Sequence, residues 1–392
     1  MRFPLRAVVT LALLFVLRPV WAAAPLRELI KDNLEFAAAQ YTQMLAQLER
    51  QPGLPRTWEN GQLVVTKFDN WTSGFFPGSL WYLFEGTGDT RWREAAERYT
   101  ALVEPAKDLK RTHDLGFMLY CSFGNGLRLT NDPRYRAVLL TGAASLATRF
   151  NPTVGAIRSW DHGTWQYPVI IDNMMNLELL TWAANAGKEP RFRAIALAHA
   201  DTTLRNHFRP DASSFHVVDY DVTTGKVRGR GTHQGFADDS SWARGQAWGL
   251  YGYTMMYRET KRPEYLAQAV RIADFFLNHP RLPADKIPYW DFDAPDIPRA
   301  PRDVSAAAIT CSALLELARY VEPGPAATYK AAALEQLRAM SSPAYRAPLG
   351  GNGCFLLMHA TGHKPKNSEI DVPLAYADYY FLEALLRAKA LE

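Results

Sequence analysis

Four stretches share one plan: 87–99 (TGDTRWREAAERY), 130–144 (TNDPRYRAVLLTGAA), 187–200 (GKEPRFRAIALAHA) and 261–273 (KRPEYLAQAVRIA). Each has a short polar turn, an aromatic residue and then an alanine-rich run at helical spacing. The turn ends one helix and the aromatic starts packing the next, so each stretch is the joint of a helical hairpin. Stacked hairpins either run on as an open solenoid or close on themselves. Irregular repeat spacing and long inserts argue against the solenoid. The reading is therefore all-α: six helical hairpins closed into an (α/α)6 barrel.

Helical spacing extends outward from these joints. Leu26, Leu29, Ile30, Leu34, Ala37, Ala38, Tyr41, Leu45 and Leu48 form one apolar stripe. Similar patterns near 74–85, 91–107, 114–129, 133–149, 172–186, 191–208, 242–259, 263–279, 303–320, 326–341 and 371–390 predict a dozen helices in all. The convincing β signal is FHVVDYDVTTGKV, where alternation meets a Thr-Gly turn and predicts a hairpin near 215–229.

The first residues fit export rather than fold. Arg2 and Arg6 precede the apolar run AVVTLALLFVL, and Val20-Trp21-Ala22 supplies small residues for cleavage. The expectation is a signal peptide over 1–22 and a single catalytic domain over 23–392, exported to a bacterial periplasm and free of the membrane after cleavage. Removing the leader's three arginines and no acid takes the formal charge from +4 to +1. No basic cluster marks a nucleic-acid surface. Three cysteines, Cys121, Cys311 and Cys354, build no disulfide framework: at most one bridge can form, and Cys121 and Cys311 are expected as buried free thiols. The sequence assigns no oligomeric state.

Segments rich in Trp, His, Asp and Gly lie between the repeats, and such loops at a barrel rim are where function sits. Asp172 follows an apolar run in IIDNMMN, and Asp114 stands in RTHDLGF. Each has two readings: a helix cap, or a carboxylate for general acid/base work on a glycosidic substrate. Burial would raise the Asp172 pKa. Trp71, Trp160, Trp165, Trp242, Trp248 and Trp290 are either core residues or faces for stacking sugars. His113, His216, Gln234, Arg244 and Gln246 could fix hydroxyls or a carboxylate. For Arg244, a bidentate grip on an anion and a structural salt bridge stand level. No metal is expected: His359 and His363 lack a zinc-hydrolase acid between them, and Asp291, Asp293 and Asp296 lack EF-hand spacing.

THDLGF, IIDNMMN, FHVVDYD, HQGFADDSSWARGQAWGLYGY, DVSAAAI and GHKPKNSEIDVPLAYADYYFLEAL together resemble the unsaturated glucuronyl hydrolases, glycoside hydrolase family 88. The resemblance runs from about Trp71 to Leu386. It implies an (α/α)6 barrel without cofactor. It also implies vinyl-ether hydration of the 4,5-unsaturated uronic acid that polysaccharide lyases leave on oligosaccharides. By motif, Asp172 matches the acid/base and Asp114 the second essential aspartate. His216, Gln234, Arg244 and Trp248 match substrate positions, with His113, Trp71 and Trp242 lining the cleft. Ser368 matches a contact to the neighbouring sugar, and Lys364 and Lys366 bear on sulfate preference. Glycosaminoglycan-type disaccharides are the expected substrates. An unsaturated rhamnogalacturonyl hydrolase, acting on pectin fragments, is the alternative. An epimerase-like (α/α)6 isomerase would rely on paired histidines, and a non-catalytic sugar-binding protein would need neither aspartate.

Overall fold

The computed structural model describes residues 25–392, and the expected leader lies outside the described residues. The chain begins with α1 (Leu26–Arg50), the hairpin β1 (Leu54–Glu59) and β2 (Gln62–Thr66), then α2 (Phe75–Thr87) and α3 (Thr90–Val103). A π-helix (Gly116–Gly124) runs straight into α4 (Asn125–Thr130), followed by α5 (Pro133–Ala147). Short strands β3 (Phe150–Asn151), β4 (Ala156–Ile157) and β5 (Pro168–Ile170) precede α6 (Asn173–Gly187) and α7 (Pro190–Asn206). Strands β6 (Val217–Tyr220) and β7 (Val227–Gly231) lead to α8 (Ala243–Thr260) and α9 (Pro263–Asn278). The chain ends with α10 (Val304–Leu317), α11 (Pro323–Met340), β8 (Ala360–His363), β9 (Ser368–Val372) and α12 (Ala375–Lys389).

An inner ring closes in the order α2, π-helix with α4, α6, α8, α10, α12 and back to α2. Outside it, α3 backs α2, α5 the π-helix, α7 α6, α9 α8, α11 α10 and α1 α12. This is the (α/α)6 barrel that the repeats predicted. The two rings differ as their sequences require. In α10 every residue is buried, because an inner helix meets neighbours on all sides. In α9 only one stripe is buried, from Tyr265 through Phe276.

The polar pairs of the repeats now have a physical meaning. Gly88, Asn131, Lys188 and Lys261 each end an inner helix in the left-handed conformation. The next residue starts the outer helix: the Asp89 and Asp132 carboxylates cap it by accepting from Arg91 N and Arg134 N. In the other two joints proline follows directly, at the first helical position of α7 and α9. Two residues thus turn the chain, and Trp92, Phe192 and Tyr265 bury themselves just after.

Four inner-to-outer turns are this short, and the one between α10 and α11 takes residues 318–322, all at one end of the barrel. Among the described residues all nine strands fall in the outer-to-inner connections, at the opposite rim, where the inner helices begin. The expected hairpin is β6–β7, extended by β5 into a three-stranded antiparallel sheet over a small satellite core of Val154, Ala156, Tyr167, Val169, Val218 and Tyr220. The hairpins β1–β2, β3–β4 and β8–β9 were not predicted. The last helix starts at Ala375 rather than 371, because β9 occupies those residues. No described helix is long and apolar enough to cross a membrane.

Candidate active site

The β5–β6 pairing builds the centre of the elaborated rim. The strands are antiparallel with Ile170 opposite Val217, so the residue before β6 and those after β5 emerge at the same end. Ile171 N donates to His216 O at 3.1 Å, and Asp172 comes next. His216 Nε2 stands 3.6 Å from Asp172 Oδ2. The backbone N–H groups of His233 and Gln234 donate to His216 Nδ1 at 3.0 and 3.1 Å. That nitrogen is an acceptor, so the ring proton is on Nε2, facing Asp172. Burial holds the imidazole pKa well below its usual value, with His233 and Arg244 acting the same way, so the ring is neutral.

Asp172 is 7 % exposed, and its Oδ2 has no hydrogen-bond partner. Although it occupies the N-cap position of α6, its backbone is already helical and its side chain caps nothing. The cap reading is therefore not realised. Burial raises its pKa to about 7, and the nearby Asp114 carboxylate adds to that. The buried Arg244 guanidinium and the Trp248 indole oppose it, the latter without a well-formed hydrogen bond.

Asp114 stands just before the π-helix with its side chain 19 % exposed. Thr112 Oγ1 donates to Asp114 Oδ2 at 2.7 Å, and His113 Nε2 lies 3.2 Å from Asp114 Oδ1. Leu115, not Asp114, takes the cap position, without a side-chain bond. His113 is buried, which lowers its pKa against the pull of Asp114. A mostly buried carboxyl, a second carboxylate and two histidines with lowered pKa values thus meet at one rim.

The remaining predicted residues surround this centre in unequal ways. Arg244 Nη1 donates to Asp303 Oδ2 at 2.7 Å and to Thr361 O, while Nη2 donates to Gly362 O, both at 2.6 Å. The salt-bridge reading is the one realised. Nε has no protein partner and Nη2 has one acceptor for its two hydrogens, so that edge of the guanidinium is not taken up by the salt bridge. Gln234 Nε2 also donates to Gly362 O, at 3.1 Å. Trp242 is 2 % exposed, with the His216 ring at 4.5 Å and the Arg244 guanidinium at 4.5 Å from its ring. Trp248 is 0 % exposed, with Phe117 at 5.0 Å and Tyr380 at 5.5 Å. These two and Trp290 are walls, not open stacking faces. Trp71, Trp160 and Trp165 keep partial exposure. Ser368 opens β9 opposite His363, half-buried at the same rim.

Several rim residues were not read as parts of one site. His363 packs edge-on against His233 at 4.8 Å, and Trp160 packs against His233 at 5.4 Å. Burial pushes the His363 pKa down to about 4, helped by His233. His359 instead pairs with Asp371 at 2.6 Å, so the two histidines do not converge. Asp291 accepts from Phe236 N and Ser240 Oγ, pinning the 236–240 loop. Among the described residues no three His, Cys, Asp or Glu side chains are grouped to hold a metal ion. Cys121, Cys311 and Cys354 are free and buried.

A cavity of about 870 Å³ lies at the other mouth among Glu178, Arg258, Glu316, Glu383 and Arg387. Arg258 pairs with Glu178, Glu259 and Glu316, and Arg387 with Glu316 and Glu383. Its charges answer one another across the ends of the inner helices. Burial raises the pKa of Glu178 there too, but Arg258 opposes that shift and pairs with the carboxylate.

An (α/α)6 barrel carrying a carboxyl pair at its elaborated rim has the architecture and chemistry of a glycoside hydrolase. Over 342 residues the chain is 50 % identical to an unsaturated glucuronyl hydrolase of Formosa agariphila, spanning 86 % of this chain and 85 % of that one. It is 32 % identical over 369 residues to an unsaturated chondroitin disaccharide hydrolase of Streptococcus pyogenes serotype M1, covering 92 % and 91 % of the two chains. The crystal structure of an unsaturated glucuronyl hydrolase specific for heparin matches with a TM-score of 0.89 at 48 % identity, over 93 % of this chain and 98 % of that one. No protein-family model matches. The chain belongs to the unsaturated glucuronyl hydrolase family.

Proposed function

We propose that this enzyme removes the 4,5-unsaturated uronic acid from the non-reducing end of lyase-generated glycosaminoglycan fragments by hydrating its enol ether. Asp172 gives its proton to C4, and positive charge develops at C5 and the ring oxygen. Water adds at C5 and passes a proton to the Asp172 carboxylate. The resulting hemiketal opens and releases the remaining sugar. Burial keeps Asp172 protonated, and the negative charge of Asp114 adds to that and favours the cation. The neutral His216 Nε2–H, unbonded at 3.6 Å from Asp172, is free to donate to substrate or water.

One observation carries this reading: Asp172 is a buried carboxyl with a pKa of about 7 and a partnerless oxygen. Such a group holds a proton at neutral pH and has nothing else to do with it. The heparin and chondroitin disaccharide names of the relatives support the substrate class. The test is to incubate the protein with unsaturated chondroitin, hyaluronan, heparin and rhamnogalacturonan disaccharides and follow the enol-ether absorbance. Loss on a glycosaminoglycan disaccharide is expected. No loss on any would reject the function, and loss on the pectin fragment alone would favour the rhamnogalacturonyl alternative. Export to the periplasm is proposed on the leader-like residues 1–22.

A further inference from the structure

We infer that Asn176 is a positioning residue that locks Asp114 against Asp172, so that the two carboxyls behave as one unit. The inference rests on the acid assignment above. Asn176 lies four residues after Asp172 on α6, so both side chains share one face. At the start of a helix the first N–H groups have no partner along the chain. Met118 N reaches back to Asp114 O at 3.0 Å, but Phe117 N donates across to Asn176 Oδ1 at 3.0 Å. A side chain of the Asp172 helix thus caps the helix that follows Asp114.

The backbones are equally close. A Cβ on Gly116 would lie 2.5 Å from Asn176 Cα, so the Asp114 segment approaches α6 at a distance only glycine permits. On the other side of Asp114, the Asn173 amide reaches the His113 ring and its Nδ2 donates to Ile157 O at 2.9 Å. The His113 approach is loose, since His113 Nδ1 and Asn173 Oδ1 each lack a well-formed bond. The Asn176 tie is therefore the firmer of the two. Both asparagines are fully buried. Neither touches the carboxyls' oxygens in a hydrogen bond; they hold the backbone from which Asp114 projects.

The Coulomb effect of one carboxylate on another falls with distance. The groups that bear on Asp172 are Asp114 ahead of the π-helix, His216 ahead of β6, and Arg244 and Trp248 of α8. Of these charges, only Asp114 favours the proton on Asp172. Releasing the tie lets Asp114 drift and gives Arg244 the larger say.

The test compares Asn176→Leu, which lacks the acceptor, with Asn176→Asp, which keeps one, on an unsaturated disaccharide the wild type cleaves. Asn176→Leu should lower kcat about tenfold with little change in KM, and move the alkaline limb of kcat down by about half a pH unit. Asn176→Asp should keep the limb at or above the wild-type position. A limb that stays put in Asn176→Leu, whatever the loss of rate, overturns the inference. Should Asn176→Leu fail to fold, Asn176→Ala, which removes the same acceptor without added bulk, takes its place with the same readout, and an unmoved limb overturns the inference. Asp172→Asn serves as the control for the underlying assignment. If that variant is active, the acid assignment fails; if it is inert and the limb is unmoved, only the Asn176 tie fails.

Discussion

His216 Nε2 points at Asp172 Oδ2 from 3.6 Å, and neither atom has a hydrogen-bond partner. Two backbone N–H donors on His216 Nδ1 set this orientation. A neutral donor thus sits beside a carboxyl that titrates near 7. The pair is too far apart to quench itself, which leaves both groups for substrate and water.

The pH profile follows from that pair. Asp172 works protonated, so kcat should be level at acid pH and fall as pH rises through about 7. His216 stays neutral across this range, since burial holds its pKa well below the usual value. No imidazole limb should therefore appear near pH 6.5. A rate that rises through pH 6 to 7 would show that a group must lose a proton first, and would count against these roles.

Asp114→Asn removes the charge that helps keep Asp172 protonated. The alkaline limb should shift to lower pH, and kcat at pH 7 should drop by about 10–100-fold. Rates measured from pH 5 to 9 check both. A limb in its original place would make Asp114 a structural residue only.

Asp172 should cost stability when it ionises. Its folded pKa lies above the ordinary carboxyl value, so its contribution is intact in acid and is lost as pH rises toward about 7. Asn does not ionise. Asp172→Asn should therefore exceed the wild type by about 2–4 kcal/mol at pH 8 and by little at pH 4. Urea unfolding at the two pH values measures the difference, and equal gains at both would contradict the burial argument.

Much of the barrel was legible because local chemistry writes it. The Gly88–Asp89 and Asn131–Asp132 pairs state a left-handed stop and a capped start in two residues, and apolar spacing marks the helices they join. The hairpins β1–β2 and β8–β9 were missed because their short strands owe their pairing to the rim, not to a long alternating pattern. The π-helix also escaped notice. Its carbonyls crowd Gly74 and Gly78 of the α2 segment, and Gly116 crowds Asn176, contacts made by distant parts of the chain. At the site, Asp172 and Asp114 could be named but not told from caps, since only the fold shows which oxygens remain unbonded. Arg244 was undecided for the same reason: its partners, Asp303, Thr361 and Gly362, come from other hairpins.

The Arg244–Asp303 pair gives a test of that architecture. Both side chains are buried, and Asp303 also caps α10 through Ser305 N. Asp303→Asn leaves a buried guanidinium without its counter-charge, which should destabilise the fold by about 3–5 kcal/mol. Thermal or urea unfolding reads this directly, and a change within error would mean the charge finds another partner.

The central claim is that Asp172 delivers a proton to C4 of an unsaturated uronate. Turnover in D2O, followed by NMR of the uronate product, tests it most directly. The account predicts deuterium on C4 and loss of the double bond with the wild type, and no turnover with Asp172→Asn. Release of the sugar with the C4=C5 double bond intact would show direct displacement at C1 and contradict it.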